Sequence, residues 1–277
     1  IQEGLYETIS SGVQTADSMK FLTTAVKAAK GGFTDTATSV DGLTTVLNAY
    51  NMKSTDATKI SNQMLVAQNL GKTTFGDMAK SIGLVADTTA ACNMKTQDLF
   101  SSLAVETAHG IDTSEAISGL RESLSNIIKP SDEATQMAKQ LGIQFDAAHL
   151  KSVGWAQFLQ EIKDKTHGNT EEMGKLFGSV QGLNTMITLT SDSGMSLFNQ
   201  SLQQMSSNTD FVGQAFDKVN NTSGQKLKNS LNELKNSAIK LGEAAEPLIE
   251  DATNLLNGLA STLNNTDKGT LKIIEDM

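Results

Sequence analysis

Apolar side chains recur three and four residues apart along most of this chain, with polar residues between them, the spacing of one buried helix face. Stretches such as TATSVDGLTTVLNAY (36–50) and FGDMAKSIGLVADTTAA (75–91) predict amphipathic helices of about 12 to 16 residues, each roughly 20 Å long. Pro130 ends the helix carrying SEAISGLRESLSNII, because the residue before proline is pushed out of helical geometry. VGWAQFLQEIKDKT (153–166) and TEEMGKLFGSVQGLNTMITL (170–189) predict two further helices. No stretch alternates for long with the period of a strand; TMITLT (185–190) comes nearest. The pattern therefore predicts an all-α fold.

The punctuation between helices repeats. GVQTAD (12–17), NMKSTD (51–56), NMKTQD (93–98) and GIDTSE (110–115) share one order: Gly or Asn, an apolar residue, any residue, Ser or Thr, any residue, an acid. Gly or Asn tolerates the left-handed backbone that stops a helix, and the apolar residue packs back. The hydroxyl is expected to cap the next helix, with the acid in its first turn. Looser versions begin at Gly32, Gly71 and Gly142, and Gly32, Gly71 and Gly110 stand 39 residues apart. A unit of that length with two short helices predicts an array of helical hairpins, in which neighbours bury what one hairpin cannot.

The same repeat disposes of a phosphate-binding loop at NLGKTT (69–74). Such a loop needs a second glycine five residues before Gly71, where Val66 stands, and a preceding strand, where KISNQMLVAQNL has helical spacing. Lys72 is a turn residue.

From residue 224 the rhythm changes. Leu227, Leu231, Leu234, Ala238, Leu241, Ala245, Leu248, Ala252, Leu255 and Leu259 alternate by four and three, the heptad seam of helices that wrap one another. Its seven leucines form the expected self-association surface, with a partner helix from another copy or from the body of the chain. Glu246–Pro247 interrupts the seam and predicts a kink, or two helices meeting there. The expected organisation is a helical body (1–190), a connecting segment (191–223), a long heptad-patterned helix (224–265) and a tail (266–277). The Ser, Asn and Gly content of 206–224 predicts a weakly structured connection, or a short helix with loops.

Composition narrows the function. Aromatics make up only 5% of the 277 residues, so a core of small side chains packed helix to helix is expected. A net charge of -9 argues against binding nucleic acid by charge attraction. Cys92 stands alone, so an internal disulfide and a cysteine-based zinc cage are both excluded, and it reads as a small buried apolar group. No apolar run reaches the 18 residues needed to span a bilayer, so no membrane contact is expected from this segment. The chain opens at Ile1 rather than methionine, as a piece of something longer would.

Candidate chemistry is thin. His109, His149 and His167 are far apart and none has a second metal-type ligand at helical spacing. A Cys92/His109 dyad is conceivable, but packing or surface roles fit both residues better. Asp132–Glu133 and Glu171–Glu172 open helices, where the dipole favours acids. Trp155 reads as a core anchor rather than a ligand platform. The expectation is no enzyme, no cofactor and no metal.

ISGLRESLSNIIKP, AKQLGIQFD, LFGSVQGL and LKNSLNELKNSAIKLGEAAEPLIE, in that order and spacing, resemble the core region of tape-measure proteins of tailed phages and phage-tail-like bacteriocins. The likeness covers roughly residues 15–265. It implies a structural protein inside the tail lumen: the tube protein polymerises around several copies, chain length sets tail length, one end engages the tail-tip or baseplate hub, and expulsion on infection aids genome delivery. Its implied locations are the virion tail lumen and, during assembly, the host cytoplasm. As one continuous helix the chain would reach only about 415 Å, and its capped turns predict a folded body, so it resembles part of a longer ruler. A non-catalytic helical-repeat interaction module, an effector or adaptor, is the alternative; a wall hydrolase is the third reading.

Overall fold

The computed structural model describes residue 6, residues 8–207, residues 209–222 and residue 257. Every element among the described residues is helical. Residues 1–219 form one compact unit and 220–277 a second. The heptad seam from Leu227 to Leu259 and the break at Pro247 lie outside the described residues.

Three hairpins follow one another along the chain. α1 (Thr15–Gly31) pairs with α2 (Thr36–Ala49), and α3 (Ala57–Leu70) with α4 (Phe75–Ser81), after which α5 (Ala86–Ala91) packs on α2. The third joins α6 (Thr96–Ala108) to α7 (Thr113–Ile128). Their first helices pack side by side as one layer, α1 on α3 and α3 on α6, while α2, α4, α5 and α7 form the other. An insertion follows, built of α8 (Asp132–Leu141), α9 (Ala147–Val153), α10 (Trp155–Thr166) and α11 (Thr170–Leu176). A closing hairpin then runs in reverse order: α12 (Val180–Thr190) packs on α7, and α13 (Asp192–Ser207) packs on α6 and α3. α14 is Phe211–Asn220.

The repeated stop signal has a physical identity. Gly12, Asn51, Asn93 and Gly110 have φ of 89°, 49°, 57° and 92°. The N–H of the apolar residue after each donates to the carbonyl five residues back: Val13 to Thr8, Met52 to Leu47, Met94 to Thr89 and Ile111 to Glu106. This is the Schellman closure of a helix end. Gly142 closes α8 in the same way, with Ile143 donating to Ala138 at 2.9 Å.

Two of the looser signals work differently. At the first, Phe33 takes the left-handed conformation (φ 54°), and Thr34 donates to Ala29. Gly32 and Gly71 have ordinary negative φ and are glycine because a Cβ there would collide with Phe75 and with Thr107 respectively. The 39-residue register thus mixes backbone handedness with close approach.

The capping hydroxyl expected in the repeat is not a cap. Thr15, Ser54, Thr96 and Thr113 sit at the first helical position, because the chain spends one more residue in extended geometry before turning helical. Asp112 caps the fourth of these helices instead, accepting from the Ser114 N–H at 2.9 Å. Two of the displaced hydroxyls tie hairpins together: Ser54 donates to Asp17 at 3.1 Å, and Thr113 shares a 2.8 Å hydrogen bond with Thr73. The acids do stand in the first turns, as Asp17, Asp56, Asp98 and Glu115.

Two predicted helices are broken. Residues 75–91 divide at a 3-10 turn, Ile82–Leu84. The stretch 170–189 divides after Leu176, where Phe177 turns inward and the Ser179 hydroxyl caps α12 by accepting from the Gly182 N–H. The strand-like TMITLT lies within α12, and its Thr185, Met186, Leu189 and Thr190 are buried. Residues 191–223, read from sequence as a connection, contain α13 and α14. Asn62 on α3 fixes the link between them, donating to the Thr209 carbonyl at 2.7 Å and accepting from the Val212 N–H at 2.8 Å.

Scarce aromatics do not leave the core without them. Seven of the ten phenylalanines are buried, as is Trp155, and Phe145, Trp155, Phe158 and Phe177 form one cluster inside the insertion.

Candidate functional site: a buried polar cluster on the central helix

α6 lies between four neighbours, α3, α7, α12 and α13, and every residue from Asp98 to Thr107 is buried. A helix enclosed in this way has no solvated face, so each polar group on it needs an internal partner. Ser101 donates to Ser201 of α13 at 2.9 Å. Ser102 donates to the Asp98 carbonyl and accepts the indole N–H of Trp155 at 3.0 Å, which joins the insertion to the array. Thr107 returns its hydroxyl to the Leu103 carbonyl.

Glu106 is the exception. Its Oε2 accepts the Thr185 hydroxyl of α12 at 2.6 Å, while Oε1 is buried without a hydrogen-bond partner. Burial pushes its carboxyl up to about 8, against the smaller opposing pull of the Thr185 hydroxyl. Gly119 on α7 clears the room: a Cβ there would collide with Thr185 Oγ1. Asp98, also buried, is raised by desolvation and partly held down by Lys95.

The residues considered from sequence as chemical candidates are scattered. Cys92 is buried at the end of α5, and burial raises its thiol. His109 uses both ring nitrogens, Nδ1 on the Val105 carbonyl at 2.8 Å and Nε2 on Ser193 at 3.1 Å, and so makes no dyad with Cys92. His149 pairs with Glu161 at 2.6 Å, and His167 ends α10 in left-handed geometry. Trp155 is a core anchor, 1% exposed. Lys72 sits in the turn between α3 and α4. The acids at Asp132–Glu133 and Glu171–Glu172 stand in the first turns of α8 and α11. Among the described residues no group of three His, Cys, Asp or Glu side chains could hold a metal ion.

An open cleft of about 600 Å³ lies where the two Asn-Met turns come side by side, lined by Tyr50, Asn51, Met52, Asn93, Met94 and Lys95 among others. Sequence reasoning missed Glu106. The available signal was TQDLFSSLAVETA itself, whose small and hydroxyl residues leave no charged face along α6 apart from Asp98 and Glu106.

Residues 1–182 match the phage-related minor tail protein family. The chain is 28% identical over 238 residues to a probable tape measure protein of Clostridium phage phiCD119, an alignment covering 82% of this chain and 25% of the relative. It is 23% identical over 170 residues to a tape measure protein of Pneumococcus phage Dp-1, covering 61% of this chain and 15% of the relative. The chain therefore spans a quarter or less of the length of these relatives. No solved structure matches it.

Proposed function

Because the chain belongs to the phage-related minor tail protein family, we propose that it is the folded part of a tape-measure protein, a non-catalytic structural component of a phage tail. It acts in tail tube assembly and length determination within the tail lumen, and later in genome delivery. The observation that carries this reading is the family match over residues 1–182, which takes in the hairpin array and its insertion. The names of the two phage relatives support the ruler role, and their greater length fits a chain that supplies one portion of the ruler. Proposed partners are the tail tube protein, tail-tip or baseplate hub proteins, and further copies of the same chain.

Deleting residues 1–219 in frame from the tape-measure gene of a phage that carries this chain is expected to leave tails absent or shortened in negative-stain images. Tails of full length and normal number would overturn the reading. Self-association is proposed to run through Leu227, Leu231, Leu234, Leu241, Leu248, Leu255 and Leu259. A Leu234→Asp change puts a charge into a seam that must be desolvated to pair, and is expected to abolish self-association in light scattering. Unchanged assembly in that variant would remove the seam as the contact. The hairpin array also supports the second reading, an interaction module, which requires no ruler length and leaves the tails of the deletion mutant unchanged.

A further inference from the structure

The closing hairpin is seated on a carboxyl group that the fold cannot fully satisfy. Glu106 faces α12 from the centre of the array, one oxygen on Thr185 and the other on nothing. Gly119 brings α7 and α12 close enough to seal the site, and Ser123 adds a hydrogen bond to the Gly182 carbonyl at 3.1 Å.

Among the described residues no positive charge offsets a negative one there. α12 has no ionisable side chain, and α13 has only Asp192, which is 98% exposed and paired with Lys163. α3 offers only exposed Lys59, and α7 only exposed Glu115 and the partly exposed Arg121–Glu122 pair. On α6 itself, Asp98 lies two turns back and His109 follows the helix end, where Val105 and Ser193 hold its ring.

We infer that Glu106 is a proton-dependent latch: protonated, it lets α12 and α13 seat on α6 and α7, and ionised, it favours their release. The hairpin of α1 and α2 keeps its mutual contacts when α12 and α13 lift from α6 and α7, with α12 also leaving α10 and α11 of the insertion, so the opening is local. Below the ordinary glutamate value of 4.5, open and closed states both hold the proton, and opening is pH-independent. Between 4.5 and about 8 only the closed state keeps it, so each pH unit favours opening by up to about tenfold. Above about 8 both states are ionised and the effect stops growing.

The test is hydrogen exchange of the whole chain from pH 5 to 9.5, with protection factors corrected for the intrinsic pH dependence of exchange. In the wild type, protection across 180–207 is expected to fall as pH rises from 5 to 8, while α2 keeps its protection. In Glu106→Gln the fall is expected to disappear. Superimposable wild-type and Glu106→Gln profiles would overturn the latch. Thr185→Val keeps the shape and removes the hydroxyl that favours the ionised carboxylate, so its fall in protection is expected to continue above pH 8. That variant decides the matter if Glu106→Gln does not fold, and a Thr185→Val profile identical to wild type would count against the latch.

Discussion

Trp155→Ala is expected to cost about 3–5 kcal/mol of unfolding free energy, the usual range for emptying a large aromatic site in a well-packed core. The indole is 1% exposed, lies parallel to Phe158 with ring centroids 6.2 Å apart, and is the only aromatic of the insertion that reaches the array through a hydrogen bond, to Ser102. Removing it leaves a cavity and cuts a link between residues 132–176 and α6. Trp155→Phe separates the two effects. It keeps most of the apolar surface and loses one hydrogen bond, for about 1 kcal/mol, since Ser102 remains satisfied by the Asp98 carbonyl. Urea titrations followed by circular dichroism check both values, because the variants lack the chain's single tryptophan fluorophore. A loss below about 1 kcal/mol for the alanine variant would contradict the burial of this ring.

Gly119→Val is expected to cost about 3 kcal/mol or more, because its side chain would push α12 away from α7 at the tightest point of their contact. The obstacle is Thr185 Oγ1, with the Gln181 carbonyl oxygen 3.0 Å from the first added carbon. Neither atom is the free end of a flexible chain. Gly119→Ala recovers about 1 kcal/mol of helix propensity and so costs less. A double-mutant cycle with Thr185→Ala makes the assignment: with the hydroxyl gone, Gly119→Ala is expected to be milder by about 1 kcal/mol or more, measured by urea denaturation at pH 5, where Glu106 is protonated. Additive costs would place the strain elsewhere.

Sequence reasoning went furthest where a residue's role is local. Asn51 and Asn93 were legible as helix stops because the left-handed conformation is a property of one residue and its two neighbours, and the structure puts both at positive φ. Gly32 was legible as a break but not for its reason. Its φ is ordinary, and what excludes a side chain is Phe75, forty-three positions away. Ser179 and Phe177 divide a stretch whose periodicity continues across them, since a good cap and an inward aromatic outweigh the gain from one longer helix.

The sequence by itself determined the helical class, the hairpin punctuation and the lack of a recognisable reactive motif, because each rests on spacing within a few residues. Only the tertiary structure decided that α6 is enclosed on all sides, that α12 and α13 close the array in reverse order, and that Glu106 meets Thr185 across 79 positions. Burial is set by what packs against a residue, and only the helices around α6 show that its Asp98, Ser101, Ser102 and Glu106 are enclosed along with its apolar residues.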